Sequence, residues 1–490
     1  MRAERRGPVT WEAVIGLETH VELSTASKMF CGCPARFDAE PNTNICPVCL
    51  GLPGALPVPN REAINRIMQI GLALNCSVTR RPVFHRKNYF YADLPKNYQI
   101  SQFDLPVCVG GYVEVGGDHP GRVRIERVHQ EEDTGKSTHR GGDGRISAAE
   151  YSLLDFNRSG VPLVEIVTRP DIRSAAQARA YAQELRLLVE ALGVSDARLE
   201  EGSIRFDANV SVRPGPEAPL GTKVEIKNMN SFRSLERAVS YEIERQTARL
   251  SSGQRIVMET RHWDEEAGVT RGGRIKEGSS DYRYFPDPDL VPMELDREWE
   301  EGMAALLPEL PSVRRMRYEE MGIDAAQAAN LVGAEAGLAR LFEGAVEAGA
   351  GAAQAANWAT GEVVASLRKA GIPSVGGSSL TGSSLAELLG MIRQGSLSGS
   401  AAREVLAGVI AGEGSPAEVA AGRDLLQISD TGLLESVVDE LIAANPDEFA
   451  RLKDGERKLV GFFVGQVMRN TRGKADPKLA GSLITERAGL

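Results

Sequence analysis

Four cysteines fall between positions 31 and 49: Cys31-Gly-Cys33, an intervening loop, then Cys46-Pro-Val-Cys49. Two short-spaced thiol pairs joined by a short loop can close a tetrahedral four-thiolate zinc site. All four positions on the metal are then filled, which makes such a zinc structural. Free thiols or a redox pair are the competing reading, and the proline inside CPVC keeps it open. Cys76 and Cys108 stand apart from the cluster. In a reducing compartment a cluster of this kind is more often a metal site than a disulfide frame.

A second group is made of acids and one histidine. Glu18 and His20 share one face of a segment with period-two alternation, and Glu165 interrupts the apolar run VPLVEIV. A carboxylate there is costly to bury unless a cation or metal meets it. Glu131, Glu132 and Asp133 follow the strand-like stretch RVRIERVHQ. Carboxylates that converge with few cations between them suit Mg²⁺. A solvated strand face for Glu18 and His20, and an arginine such as Arg158 beside Glu165, account for the same residues without a metal.

A third group lies on two alternating segments. Arg205, Asp207 and Asn209 form the polar side of one, and Lys223, Glu225 and Lys227 that of the other. A sheet face with fixed charges of both signs can hold phosphates, a metal and a polar substrate. A plain solvent face is the alternative. EEDTGKS is a decoy: Gln130 stands where a phosphate loop needs glycine. There is no GxGxxG after a strand and no GxSxG, so a dinucleotide fold and a serine-amidase site are not expected.

The elements that must position these groups are readable in outline. In 14–23, Leu17, Thr19, Val21 and Leu23 point one way while Glu18, His20 and Glu22 point the other. Residues 204–213 alternate in the same way, as do 222–227. One-sided burial of this kind predicts an antiparallel sheet. Ser174 with Gln177 predicts a capping box opening a helix that stops at Gly193, and 234–250 reads as another helix. After PELPSVRRMRYEEMG the chain becomes rich in Ala, Leu, Glu and Gly and loses strand patterning. That predicts an all-helical rear, broken by loops at 371–384 and 411–416.

At 490 residues the chain exceeds one core, and two to four domains are expected. With 42% hydrophobic and 25% charged residues it has the balance of a globular protein. The net charge is −10, yet residues 451–490 hold nine Lys or Arg against four Asp or Glu. An acidic body with a basic tail suits contact with RNA at one end, and a solvated helical tail is the plain alternative. The basic N-terminal stretch has no apolar run behind it, and no membrane span is apparent. A cytoplasmic location is expected.

Several stretches resemble one family in order along the whole chain. They are VIGLETHVEL (14–23), KNYFYADLPKNYQISQFD (87–104), HQEEDTGKSTH (129–139), DFNRSGVPLVEIVTRPDI (155–172), EEGSIRFDANVSVR (200–213), KVEIKNMNSF (223–232) and DYRYFPDPDLVP (281–292). ISD (428–430) and VGQVMRNTRGKADPKL (464–479) continue the match into the tail. The family they resemble is that of the tRNA-dependent amidotransferase B subunits (the GatB family).

That resemblance implies an α+β cradle related to glutamine synthetase over 1–293, a helical domain over 294–410 and a small helical tail over 411–490. It implies a ligase component that phosphorylates the side-chain carboxylate of misacylated Glu-tRNA(Gln) or Asp-tRNA(Asn) with ATP and Mg²⁺. Ammonia arriving through a channel from a glutaminase partner, the A subunit, then makes the amide. A small C subunit completes a heterotrimer, and a non-discriminating aminoacyl-tRNA synthetase is a further implied partner. Family metal ligands match Glu18, His20, Glu132 and Glu165. Glu132 also matches a gate at the tunnel mouth, with Lys87 and Lys96 beside it. Arg205, Lys223 and Lys227 are candidates to steady ATP phosphates, with Asp207 and Asn209 beside them as cofactor-binding candidates, and Arg469, Arg472, Lys474 and Lys478 to hold the tRNA body. The cysteine quartet matches members that carry zinc. The insertion domain of archaeal relatives is absent, which implies a protein of the bacterial type. The rival classes are an ATP-dependent ligase acting on a small free acid and a tRNA-binding scaffold without catalysis.

Overall fold

The computed structural model describes residues 10–36, 39–116, 119–141, 149–275, 282–334, 336–427, 431–471 and 474–490. Two compact units divide at 313/314. The first is α+β, and the named elements of the second are all helices.

The first unit is built on a ten-stranded sheet whose central strand is Glu12–Glu22, flanked by Ile204–Arg213 and Pro162–Thr168. Gly121–Glu132 continues the sheet beyond Pro162–Thr168, and Val224–Met229 beyond Ile204–Arg213. Pairing is antiparallel except between Val224–Met229 and Glu259–Asp264, which run parallel. The alternation in the sequence sets the two faces. Leu17, Thr19 and Val21 are fully buried on one side, with Phe206, Ala208 and Val210 beside them. Helices Arg61–Ala73, Ala175–Leu192 and Phe232–Ser251 supply the residues that share this core, including Ile67, Tyr181 and Leu235. Each large apolar side chain here contributes about 1.5–3 kcal/mol by leaving water, and the opposite face is thereby left to polar residues.

The helices begin and end where the sequence indicates. Ser174 Oγ accepts from Gln177 N at 3.1 Å, and Gly193 closes the helix at φ 64°. The capping box is shifted by one residue, because the Gln177 side chain takes the N–H of Arg173, not that of Ser174. Asn60 caps Arg61–Ala73 and also donates to Ser27 O at 3.0 Å, tying that helix to the cysteine loop.

The second unit holds two apolar cores. One gathers Tyr318, Phe342, Leu385, Val405 and their neighbours, and the other Leu434, Leu452, Phe463, Val467 and Ile484. Helix Gly382–Arg393 starts so close to Ala336–Glu347 that a Cβ on Gly382 would sit 2.4 Å from the Gly344 carbonyl carbon, so only glycine fits. The loop expected over 371–384 is shorter: Thr381 and Ser384 form a capping box, and the helix has begun by Gly382. No helix among the described residues is long and apolar enough to cross a membrane.

Candidate functional site

Antiparallel register converts positions along several strands into rows across the polar face. One row runs Arg205, His20, Glu165, His129. The next includes Asp207, Glu18 and Val167. Glu225 stands opposite Asn209 and Thr260.

Two acidic groups result. His20, Glu131 and Glu165 present donor atoms within 4.8 Å of one another, as do Glu18, Asp207 and Glu225. In the first, His20 Nε2 lies 3.6 Å from Glu165 and 3.8 Å from Glu131, and His129 Nε2 lies 3.2 Å from Glu165. Burial opposes charge on Glu165, but the charges and hydrogen bonds of His129 and His20 hold its carboxyl well below the usual range. Burial also opposes the His20 imidazolium, and Glu165, Glu131 and Asp207 together outweigh it and raise that group. Lys87 donates to Glu131 at 2.8 Å, and Ser101 Oγ donates to the same oxygen at 3.2 Å. In the second group, Lys227 bridges Asp207 and Glu225, Asn209 donates to Glu18 at 2.9 Å, and Thr260 donates to Glu225 at 2.7 Å. Burial and the neighbouring carboxylate of Glu165 push the Glu18 carboxyl upward.

Glu132 is not in either group. A strand turns alternate side chains to opposite faces, so Glu131 and Glu132 cannot both join the cluster. Glu132 faces away and pairs with Lys96, also accepting from Ile100 N at 2.8 Å. Glu132 and Lys96 line a separate cavity of about 190 Å³ with Cys31, Cys49 and Gly160. The expected set of Glu18, His20, Glu132 and Glu165 is thus not brought together as one group: Glu131, not Glu132, lies with His20 and Glu165, and Glu18 lies with Asp207 and Glu225. The arginine offered to Glu165 is also elsewhere. Arg158 lies 3.7 Å from Asp133 and donates to the carbonyls of Thr134 and Gly135.

Beside the acidic groups lie two larger cavities, of about 640 and 760 Å³, sharing His20, Lys87, Tyr89 and Lys227. Arg205 and Asp207 line the first, and Lys223, Glu18 and Glu165 the second. Arg205 donates to Asp133 at 2.8 Å. The acids around Arg205 and Lys227 overcome their burial and keep both firmly cationic.

Cys31, Cys33, Cys46 and Cys49 come together as a group that could hold a metal ion. Cys46 N donates to the Cys49 sulfur at 3.1 Å. A hydrogen bond from Cys31, with the Cys46 amide and the charge of Lys28, lowers the Cys49 thiol to about 5, and burial raises Cys33 to about 11. In the tail, Arg469 and Lys478 are exposed, while Lys474 pairs with Asp424. Arg472 and the ISD at 428–430 lie outside the described residues.

The family described as the GatB/GatE catalytic domain matches residues 13–301, and the GatB domain family matches residues 340–487. The B subunit of the aspartyl/glutamyl-tRNA(Asn/Gln) amidotransferase of Thermobifida fusca is 51% identical, covering 98% of this chain and 94% of its own length. The chain belongs to the GatB family of aspartyl/glutamyl-tRNA amidotransferase B subunits. Family members with the same name from Trichodesmium erythraeum and Salinispora arenicola are 48% and 51% identical, each covering 97% of its own length. Within the family's catalytic-domain match fall both acidic groups, the cysteine quartet and all three cavities.

Sequence reasoning passed over His129, weighed Glu131 only as one of three consecutive acids, and noted Glu225 only as part of the polar face of its strand. The signal available for His129 and Glu131 was their common parity in the strand, but their cross-strand register with Glu165 and His20 is set by the fold.

Proposed function

We propose that this chain is the carboxylate-activating component of a tRNA-dependent amidotransferase. It would phosphorylate the side chain of a misacylated Glu-tRNA(Gln) or Asp-tRNA(Asn) with ATP and pass it to ammonia. The observation that carries the reading is the shared wall of two cavities, where His20, Lys87 and Lys227 stand among the carboxylates. A reaction between two large substrates needs two cavities that meet at the chemistry.

Two buried carboxylates and an imidazole with converging donor atoms fit a divalent cation such as Mg²⁺. His20, Glu131 and Glu165 would hold it, with Glu18 in the neighbouring acidic group, and the ion would offset phosphate charge when bound. Arg205 and Lys227 would steady the phosphates, with Lys223 at the rim. Asp207 and Asn209 would orient Lys227 and Glu18 through the hydrogen bonds described. An acyl phosphate is destroyed by water, so the site must shield it. Ammonia from a glutaminase partner, the A subunit, would arrive past Glu132 and Lys96 on the other side of the sheet. Lys87 would stand at the reaction chamber, held by Glu131. Structural zinc would close the cysteine loop.

The division into a cradle (1–293), a helical domain (294–410) and a tail (411–490) belongs to this reading. Arg469, Arg472, Lys474 and Lys478 would meet the tRNA body through its phosphates. A small C subunit, a non-discriminating aminoacyl-tRNA synthetase and a cytoplasmic location belong to it as well.

The test is ATP hydrolysis by the chain assembled with its amidase partner, with Mg²⁺ and ammonium, in the presence and absence of Glu-tRNA or Asp-tRNA. Hydrolysis and amide formation that both require misacylated tRNA, and both fail in Glu131→Gln, are expected. Turnover of free glutamate without RNA would replace the reading with a small-acid ligase. A folded complex without hydrolysis would replace it with a scaffold.

A further inference from the structure

The larger cavity has a second wall that the reaction above does not use. Five aromatic rings run along it without a break. Phe103 stacks on Tyr284 with centroids 4.7 Å apart and 17° between planes, Tyr284 meets Tyr282 at 6.1 Å, Tyr282 meets Tyr89 at 6.0 Å, and Tyr89 meets Tyr91 at 5.9 Å. All five line the cavity that also carries Glu18, Glu165 and Lys227.

Tyr91 is 57% and Phe103 49% exposed, so these two rings are open to a ligand entering the cavity. Hydrogen bonds nevertheless tie part of the wall together. Asn88 donates to the carbonyls of Tyr282 and Arg283 at 3.2 and 2.9 Å, which joins the two segments that supply the four tyrosines. Arg283 between the two tyrosines has φ 43°, a left-handed conformation that an arginine adopts only under constraint from its surroundings. Rings lining a cavity that also holds Lys87, Lys223 and Lys227 unite a stacking surface with cations for phosphate. Nucleotide-binding grooves use that pairing of aromatic and basic side chains.

We propose that this aromatic wall is a stacking platform for a nucleobase of one of the two substrates. The proposal rests on the reading above for the identity of those substrates. The base has two sources, the adenine of ATP and the unpaired 3′-terminal adenosine of a tRNA.

The experiment compares Tyr91→Leu and Tyr282→Leu with Tyr91→Phe and Tyr282→Phe in the complex with the partner proteins. Equilibrium binding of ATP, of intact tRNA and of tRNA lacking its 3′-terminal adenosine is measured beside KM and kcat. The leucine variants should weaken one nucleotide ligand on the order of tenfold, with the loss in KM, and the phenylalanine variants should retain wild-type affinity. A loss for intact tRNA that abolishes its advantage over trimmed tRNA assigns the platform to the RNA end, and a loss for ATP alone assigns it to ATP. Unchanged affinity for both ligands in folded leucine variants overturns the proposal. Wild type that binds both ligands but never turns over defeats the proposed reaction, and the binding comparison still decides the wall.

Discussion

Glu131 and Glu132, neighbours in sequence, take two different lysines on opposite sides of one sheet: Glu131 takes Lys87 and Glu132 takes Lys96. One carboxylate belongs to the acidic cluster with His20 and Glu165, and the other to the small cavity beside the cysteine loop. The two substitutions should therefore separate. Glu131→Gln should weaken Mn²⁺ or Mg²⁺ binding tenfold or more, since removing even an outer partner of a metal site costs about 10–100-fold. Glu132→Gln should leave cation affinity within about twofold while impairing amide formation from glutamine. Equal losses of cation affinity, by calorimetry or manganese resonance, would refute the assignment by strand parity.

Glu22 gives a pH dependence with a definite sign. Burial, with a hydrogen bond and the charge of Asp133, raises its carboxyl to about 8. The folded chain thus holds a proton that the unfolded chain releases near 4.5. Stability from this group is full below that value and is lost as pH rises towards 8. Glu22→Gln should flatten the fall of Tm between these limits and stabilise the protein at the alkaline end. A Tm profile that keeps its slope in the variant would contradict this.

The cysteine loop should be separable from the chemistry of the sheet. Cys46→Ser or Cys49→Ser should reduce bound zinc from about one equivalent to near zero, measured by elemental analysis of the purified chain. The same variants should lower the unfolding temperature, because a four-thiolate site contributes directly to folding. Zinc retained at full stoichiometry by both variants would remove the site.

Leu17 sits between Gly16 and Glu18 but faces the helices and is fully buried. Leu17→Ala should cost about 2–5 kcal/mol of stability. Denaturant unfolding reads the loss, and magnesium affinity measured well below the melting temperature should be unchanged.

Arg469 and Lys478 are exposed in the tail. If they meet phosphates, the double change Arg469→Ala with Lys478→Ala should weaken tRNA binding alike for all sequences and reduce the salt slope by about two. Retention of the full slope would place the RNA elsewhere.

What the sequence disclosed and what it withheld follow from the physics of strands. Alternation is local, so Leu17, Thr19 and Val21 could be separated from Glu18, His20 and Glu22 without a structure. Helix ends at Ser174 and Gly193 were equally local. Register is not local. That Glu165 meets His20 on one side and His129 on the other depends on the pairing of three strands that are not consecutive in the chain. The same holds for Arg158, whose partner is Asp133 and not the acid in the apolar run. The tyrosines joined by Asn88 come from segments nearly two hundred positions apart, and no periodicity connects them.

Lys28 is fully buried, and its ammonium donates to the carbonyl of Asn44 at 2.8 Å and to that of Phe156 at 3.3 Å. It thus touches both the cysteine loop and the segment around Phe156 at once. A divalent ion among four thiolates leaves an excess of negative charge, and a lysine that cannot reach water is a fixed counterion for it. Loading the loop would then be an exchange in which protons leave the sulfurs as the ion arrives. Metal capture should release acid to the solvent, and the affinity of the loop should rise steeply with pH.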